Sequence, residues 1–528
     1  MKNKIKHEII NNKNYIYLAW IISILTILPQ IIASPPLSDS KHVIFLYITL
    51  FLLILISKFS KVLFIAAIFY INVTNILIGH IFMHWGYNGK ITSQISVFFD
   101  SPQHEQMEYM STFIDYKDAL LVFYTLFVLI LLYKFMMHFR HSFKIWRLVA
   151  LTFFSIIVLP LAYYKNPLIK VEPFSLLHEY QEAKEFTEYP KLRIKYLNKL
   201  DKTTDKNNTP LYDTIVVIQG ESVNKHHMSL YGYDKNTTPF FSSLKKKKNF
   251  YQFNAISPAN LTRLSVPILN TPASVANYLD AFMHSRSIVG NFGLYGYETH
   301  WISAHAPSGL YDTINSSIAE ESETKFFANI EFDKGKKKTD MELVKHLQNL
   351  QEQNSSSAQM YFIHLLGSHF KYEERYTEDM TMIKKSESTK DSYDNTIYYT
   401  DFILKNIFTF FQDKIDQGKK ILFVYTADHG EFIGDNLEIG GHGRVSPFKD
   451  EYEIPFVVYS SITNKRIDSL LKNNEKGYFN LENLNYMVEY ISGIRNDANI
   501  SYSSKVMAAE PSNIYDYNDL KFFDTTTP

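Results

Sequence analysis

The chain has no cysteine among its 528 residues. That excludes disulfides and thiolate metal sites, so any metal must be held by carboxylate, imidazole or hydroxyl groups. An excess of one charge is lacking too. Lys+Arg and Asp+Glu each number 54, so the charge balance gives no sign of nucleic acid as a partner, and none is expected. Internal repeats are not evident. The first apolar run lacks a small-residue cleavage site and further apolar runs follow it, which argues against a signal peptide.

What the N-terminal third does have is long apolar runs. Tyr15–Ile32, Val43–Ser57, Val62–Phe82, Ala119–Met137 and Leu148–Tyr164 are dominated by Leu, Ile, Val and Phe. Most approach the ~20 residues that cross a bilayer as a helix. They leave almost no polar face for water, which disfavours buried soluble helices. Lys2, Lys4, Lys6 and Lys13 precede the first run, Lys58 and Lys61 separate the second and third, and Lys134, Arg140, Lys144 and Arg147 lie around the fourth gap. The positive-inside rule then places the N-terminus in the cytoplasm and everything after Tyr164 outside. The gap Trp85–Asp118 becomes a long outside loop, read either as solvated chain or as a short interfacial helix that holds a lipid headgroup.

Pro167–Leu200 alternates charged and apolar residues, as an amphipathic helix does on a membrane surface or against a soluble domain. Asp201–Pro210 is polar and reads as a linker. The expected organisation is a transmembrane domain over 1–165, an interfacial helix and linker over 166–210, and an exported domain over 211–528. Lys245–Lys248 reads as a solvated loop.

Three strand-like runs organise the exported part, and each stops at metal-ligand residue types. Ile215–Ile218 leads into Gly220-Glu221-Ser222, Met360–Leu366 into Gly367-Ser368-His369, and Ile421–Ala427 into Asp428-His429-Gly430-Glu431. Ligand sites collect at the carboxyl ends of strands in open α/β sheets. Intervening helical patterns predict an α/β domain with a mostly parallel sheet. Asp428-His429 can aim two ligands at one ion; the alternative is a helix-capping Asp and a core His. Thr262 is the nucleophile candidate. A threonine hydroxyl is a poor nucleophile until a cation lowers its pKa, and a helix starting there would point N–H groups at a phosphate. Ser257, Ser265 and Thr271 are chemical rivals, and Thr262 also fits a helix N-cap. His364 reads as a packed core residue, His369 at the strand end as a functional one.

Gly220-Glu221-Ser222, His227-Met228-Ser229-Leu230-Tyr231-Gly232-Tyr233, Thr237-Thr238-Pro239, Thr262-x-x-Ser265-Val266-Pro267, Gly367-Ser368-His369, Tyr393-Asp394-Asn395-Thr396, Tyr399-Thr400-Asp401, Asp428-His429-Gly430-Glu431 and His442-Gly443 occur in this order. The set resembles the phosphoethanolamine transferases of Gram-negative envelopes, a branch of the alkaline-phosphatase/sulfatase superfamily. The resemblance implies a bacterial inner-membrane protein of five transmembrane helices followed by a periplasmic, sulfatase-like α/β domain. It implies one Zn2+ held by Glu221, Thr262, Asp428 and His429, with a second possible. Thr262 would take phosphoethanolamine from phosphatidylethanolamine and pass it to lipopolysaccharide. His369 and His442 would bind the transferred group or a second metal.

Departures from the family pattern bear on substrate contacts. The stretch Trp301-Ile302-Ser303-Ala304-His305 lacks the Asn common three residues after the Trp, and Gly309 stands where lipid A-modifying members carry a lysine. Met107, Ser111 and Asp115 stand where some members have Asn, Thr and Glu. The missing cysteines also differ from lipid A-directed members and favour a core-sugar acceptor. Other readings are a glycerol-phosphate polymerase resembling lipoteichoic acid synthase, a membrane-anchored phosphohydrolase, and a non-enzymatic envelope scaffold. A sulfatase proper would need a Cys or Ser in a formylglycine-type motif, and there is no cysteine. The charge distribution sets one test: a reporter fused at Asn208 is expected to behave as exported, and a cytoplasmic readout would overturn the five-span orientation.

Overall fold

The computed structural model describes residues 17–26, 51, 54, 68, 71, 116–138, 191–200, 208–305, 316–328, 339–350, 358–434, 440–444 and 446–523. The chain divides into two compact units, Met1–Phe99 with Glu105–Glu185, and Asp100–His104 with Phe186–Pro528. In the first unit, α1 spans Tyr116–His138 and covers the fourth apolar run. Within it Tyr116–Lys134 is long and apolar enough to cross a membrane, the one such helix among the described residues. Leu120, Phe123, Phe127 and Ile130 are exposed, so the helix is apolar on its outer faces as well. Tyr17–Thr26 is a shorter apolar helix, and Tyr124 donates to the Leu25 carbonyl at 2.5 Å. The second, third and fifth runs lie wholly or almost wholly outside the described residues, as do Met107, Ser111, Asp115 and Gly309.

The second unit is an α/β domain. Its strands are β1 (Thr214–Gly220), β2 (Phe250–Ile256), β3 (Glu298–Ser303), β4 (Thr324–Phe327), β5 (Gln359–His364), β6 (Ile421–Ala427), β7 (Phe432–Ile433), β8 (Gly440–Gly441), β9 (Glu453–Ser460), β10 (Phe479–Asn480), β11 (Lys505–Ala508) and β12 (Glu510–Asp516). Its helices include α2 (Pro239–Leu244), α3 (Thr262–Asn270), α4 (Tyr278–His284), α5 (Ile288–Leu294), α6 (Met341–Leu350), α7 (Thr389–Asp416), α8 (Lys465–Asn474) and α9 (Leu484–Ser492). Eight strands form one sheet in the order β10-β2-β9-β6-β1-β5-β3-β4. Only β9 runs against its neighbours; the pairs β1–β5, β1–β6, β3–β5, β3–β4 and β10–β2 are parallel. Every residue of β1, β5, β6 and β9 is buried, as expected for central strands covered on both faces.

The register aligns Gly220 with Ala427 and Gln219 with His364. The strand-end segments expected to carry chemistry therefore emerge side by side. Proline 267 lies inside α3 and has no N–H for the Arg263 carbonyl; the Tyr278 hydroxyl donates to that carbonyl instead, at 2.8 Å.

Of the predicted interfacial segment, residues 191–200 are described, and 191–197 are helical. Its buried Arg193 donates to the carbonyls of Phe282, Ser285 and Ser317 at 2.9–3.1 Å and to Glu321 at 2.6 Å. In this stretch Arg193 and Leu197 pack into the second unit, while Lys191, Leu192, Lys195, Tyr196 and Lys199 are exposed. Arg193→Ala would remove the cationic partner of Glu321, which keeps the Ser287 N–H, and take a donor from three carbonyls. We expect a loss of about 3–5 kcal/mol, read from urea unfolding of the detergent-solubilised chain. Arg193→Lys should recover only part, because an ammonium lacks the planar fork. An unchanged midpoint for Arg193→Ala would refute this.

Candidate metal centre and nucleophile

Glu221 follows β1, and Asp428 and His429 follow β6; all three are fully buried. Thr262 is the first residue of α3 and half-buried. Its Oγ1 lies 3.1 Å from Glu221 Oε2, 3.3 Å from Oε1 and 3.2 Å from His429 Nε2. His429 Nε2 is in turn 3.3 Å from Glu221 Oε1 and 3.4 Å from Asp428 Oδ2. The four side chains thus converge on one point. Leu261, not Thr262, holds the N-cap position of α3, so the Thr262 hydroxyl is not spent on capping. The rival hydroxyls are spent on backbone: Ser257 on Asp428 and Ala259 carbonyls at 2.6 Å each, Ser265 on Leu261 and Thr271 on Pro267.

The donor set fits a divalent cation. Asp428 Oδ1 accepts from the backbone N–H groups of Ser222 and His429 at 3.1 and 2.8 Å. Its Oδ2 is buried with no hydrogen-bond partner. His429 Nδ1 lies 2.9 Å from the Gly430 carbonyl, which can only accept, so Nδ1 carries a hydrogen and Nε2 faces the carboxylates. That orienting bond to a backbone carbonyl is characteristic of metal-bound imidazoles. No Lys or Arg pairs with Glu221 or Asp428 among the described residues.

Burial would raise Glu221, but His429 beside it holds the carboxyl well below the usual range. Asp428 is pushed up to about 7 by burial and by the charge of Glu221. Burial lowers His429, yet Asp428 and Glu221 outweigh it and bring the imidazole up to about 10.

His369 and His442 reach the same region. The His442 ring is centred 4.1 Å from that of His429 and 6.4 Å from that of His369. The β7–β8 hairpin, which pairs Phe432 with Gly441, brings His442 back. Gly443 follows with φ +75°, and a Cβ there would strike the Leu261 side chain at 2.7 Å, so only glycine lets this loop close on the start of α3. Gly367, with φ +52°, lies against Glu221: a Cβ would sit 2.9 Å from its carbonyl oxygen. Burial drives His369 down to about 3 and His364 well below its usual value, so both are neutral.

Several residues support this site; Glu431 stands in a motif already noted, whereas Asp340 and Tyr372 had no signal in the sequence. Glu431 is buried and accepts from the Tyr372 hydroxyl at 2.5 Å and from His442 Nδ1 at 2.6 Å, fixing that ring. Asp340 accepts from the N–H groups of Leu366 and Gly367 at 2.8 and 2.9 Å and shapes the loop that carries His369. His305 stacks on His364 with centroids 4.0 Å apart.

A mostly parallel sheet thus gathers a hydroxyl, two carboxylates and an imidazole at its strand ends. The chain belongs to the sulfatase family, whose model matches residues 213–486. It is similar to YhbX of Escherichia coli (strain K12), 30% identical over 285 residues that make up 53% of this chain and 49% of the relative. It is also similar to the phosphoethanolamine transferase EptC of Escherichia coli O18:K1:H7, 26% identical over 70% of this chain and 69% of that protein. The chain thus spans about half the length of the first of these relatives. Two solved structures share the fold. The zinc complex of the periplasmic domain of Escherichia coli EptC is 21% identical with a TM-score of 0.50, covering 61% of this chain and 97% of that one. The integral membrane lipooligosaccharide phosphoethanolamine transferase A of Neisseria meningitidis is 14% identical with a TM-score of 0.60, covering 90% and 95%.

The protonation pattern sets a test. A metal entering this site must displace the proton of His429, and below about pH 7 that of Asp428 as well. Zinc affinity is therefore expected to rise with pH, about tenfold per unit above pH 7 and approaching 100-fold per unit below it. Chelator competition between pH 6 and 8.5 measures this; an affinity independent of pH would contradict it.

Proposed function

We propose that the chain transfers phosphoethanolamine from phosphatidylethanolamine to lipopolysaccharide, with Thr262 as nucleophile and a core sugar as acceptor. One observation carries the reading: of the four candidate hydroxyls, only Thr262 touches both a carboxylate and the imidazole beside it. The similarity to phosphoethanolamine transferases supplies the transferred group. Glu221, Thr262, Asp428 and His429 would hold Zn2+; the orphaned Asp428 Oδ2 and the zinc complex of the EptC domain support this. Zinc, when bound, supplies Lewis acidity and eases loss of the hydroxyl proton.

The protein's own groups account for the rest. The Thr262 hydroxyl directs its proton at Glu221 Oε2, 3.1 Å away, and the β-branch restricts χ1 so that the oxygen keeps its direction. Attack on the donor phosphorus forms the Thr262 Oγ1–P bond and breaks the P–O bond to glycerol, releasing diacylglycerol. A sugar hydroxyl then displaces Thr262 from the phosphorus, regenerating the free threonine. His369 and His442 steady the phosphate oxygens, with Glu431 fixing the second ring. Start of α3 at Thr262 turns first-turn N–H groups towards an incoming phosphate.

The organisation that goes with this reading is five spans over 1–165, a connecting segment over 166–210 and a periplasmic catalytic domain over 211–528, in a bacterial inner membrane. The apolar runs, the lysine-rich gaps and α1 support it. The missing cysteines and the Trp301–His305 segment favour a core sugar over lipid A.

The full chain, incubated with phosphatidylethanolamine and no acceptor, is expected to gain one phosphoethanolamine mapping to the Thr262 peptide by intact and peptide mass spectrometry. Thr262→Ala should lose the adduct and about 10⁴-fold or more of the transfer rate, while mass spectrometry of lipopolysaccharide should place the added group on the core. An adduct on Ser257, Ser265 or Thr271, or an active Thr262→Ala protein, would end the proposal.

A further inference from the structure

The loop that brings His442 back carries a cation at its outer side. Arg444, two residues on, is exposed. Its guanidinium lies over Phe432 and Phe448, 5.4 and 5.2 Å from the ring centroids. Lys449 lies over Tyr517 and Phe522 at 5.0 and 5.7 Å. These two stacks form one platform. Phe523 packs on Phe432 and Phe448 with centroids 5.2 and 5.1 Å apart, and the Lys449 N–H donates to the Lys521 carbonyl at 2.9 Å. Exposed Lys521 adds a third cation.

Among the described residues, no carboxylate pairs with the side chains of Arg444, Lys449 or Lys521. The nearby acids are engaged elsewhere. Glu451 takes the backbone N–H groups of Arg444 and Phe448 at 3.2 and 2.8 Å, and Asp450 takes the Phe523 N–H at 2.8 Å. An arginine held over aromatic rings keeps its N–H fork at the edge of the guanidinium. That fork matches the paired oxygens of a phosphate or a carboxylate.

The platform is tied to the nucleophile segment. Asn260 stands two residues before Thr262, and its Nδ2 donates to the Arg444 carbonyl at 3.0 Å and to Glu451 Oε2 at 2.8 Å. Two residues span at most about 7 Å, so Arg444 also stays close to His442. One molecule that brings a hydroxyl to Thr262 can therefore reach Arg444. The occupant is a saccharide and not a bilayer. Of the five rings only Phe522 is exposed, too little apolar surface to enter acyl chains. One open ring beside three cations suits a charged sugar, whose C–H face packs on the ring while its anionic groups meet the cations.

We propose that Arg444, Lys449 and Lys521 form the acceptor subsite and bind the phosphate or carboxylate groups of an anionic oligosaccharide. This rests on the transfer reaction above only in calling that saccharide the acceptor.

Binding without turnover tests it. The full chain in neutral detergent is titrated with the oligosaccharide of deacylated lipopolysaccharide, and with the same oligosaccharide after its phosphates are removed and its carboxyls reduced. The native probe is expected to bind, and the neutral one to bind more weakly. R444Q should weaken the native probe about tenfold or more, the loss of a hydrogen bond between charged groups, and close most of the gap to the neutral probe. K449Q should lose less, because an ammonium lacks the fork. A probe stripped of phosphate alone tells the two anions apart: R444Q and wild type then bind alike if Arg444 holds a phosphate, and still differ if it holds a carboxylate. Equal affinity of wild type, R444Q and K449Q for the native probe would overturn the proposal. So would protection of Arg444 from hydroxyphenylglyoxal on reconstitution into phosphatidylglycerol vesicles without saccharide, which would make the platform a membrane contact. A protein that binds the saccharide as expected and forms no Thr262 adduct would defeat the proposed reaction and leave this subsite standing.

Discussion

Two carboxylates, Glu221 and Asp428, are buried together with a single imidazole between them, and the surroundings are shaped by the cost of that pairing. Buried like charges cannot both ionise without a cation. The backbone meets part of the cost, since Asp428 Oδ1 takes two N–H groups and the Ser222 hydroxyl donates to Glu221 Oε1 at 2.7 Å. Ser222 holds φ +58° to do this, a conformation that costs a non-glycine residue about 1–3 kcal/mol. The Tyr393 hydroxyl, donating to the Ser222 carbonyl at 2.7 Å and accepting from Asn224 N–H at 2.9 Å, holds the strained turn in place. What remains unmet is one oxygen, Asp428 Oδ2, which faces His429 and on the proposed reading is where a cation would be held.

The order of the motifs was readable in the sequence because each marks the end of a strand or the brace for one. Tyr393-Asp394-Asn395-Thr396 belongs to the brace. On α7, Asp394 takes His227, Tyr233 and Lys235, which gathers the His227–Tyr233 segment. Asp401, on the same helix, accepts from the N–H groups of Phe240 and Phe241 and caps α2; burial raises its carboxyl to about 7. So the segments that carried the resemblance do two different jobs. Some present the reactive groups, and others hold Ser222 and its neighbours in a conformation they would not keep alone.

Local chemistry alone did not separate Thr262 from Ser257, Ser265 and Thr271; the motif resemblance pointed to Thr262, and only the structure shows the other three hydroxyls bonded to backbone carbonyls. A one-residue change of helix start would have made Thr262 the cap. His364 is buried, as expected of a core histidine, but its neighbours across the sheet were equally hidden. A histidine in an apolar strand looks like core from one strand alone, and only the β3–β5–β1 order places it beside His305 and Glu221. Asp340 and Tyr372 act across 26 and 59 residues of sequence, a separation at which single-chain patterning carries no pairing information.

Exposure divides the site in a way that bears on its chemistry. Glu221, Asp428 and His429 are fully buried, whereas Thr262, His369 and His442 are partly open. Charge developing on an incoming phosphate would therefore meet neutral or hydrogen-bonded groups at the rim and never the bare carboxylates beneath. Thr262 is the one oxygen that belongs to both layers, touching Glu221 and His429 below while facing the opening above. A group with that position can exchange between a bound and an esterified state without moving the buried residues. The close contacts of Gly367 with Glu221 and of Gly443 with Leu261 then take on a common purpose. They keep the floor and the start of α3 at a fixed spacing, which under the proposed reaction would let a bond form at Thr262 without deforming the carboxylates below.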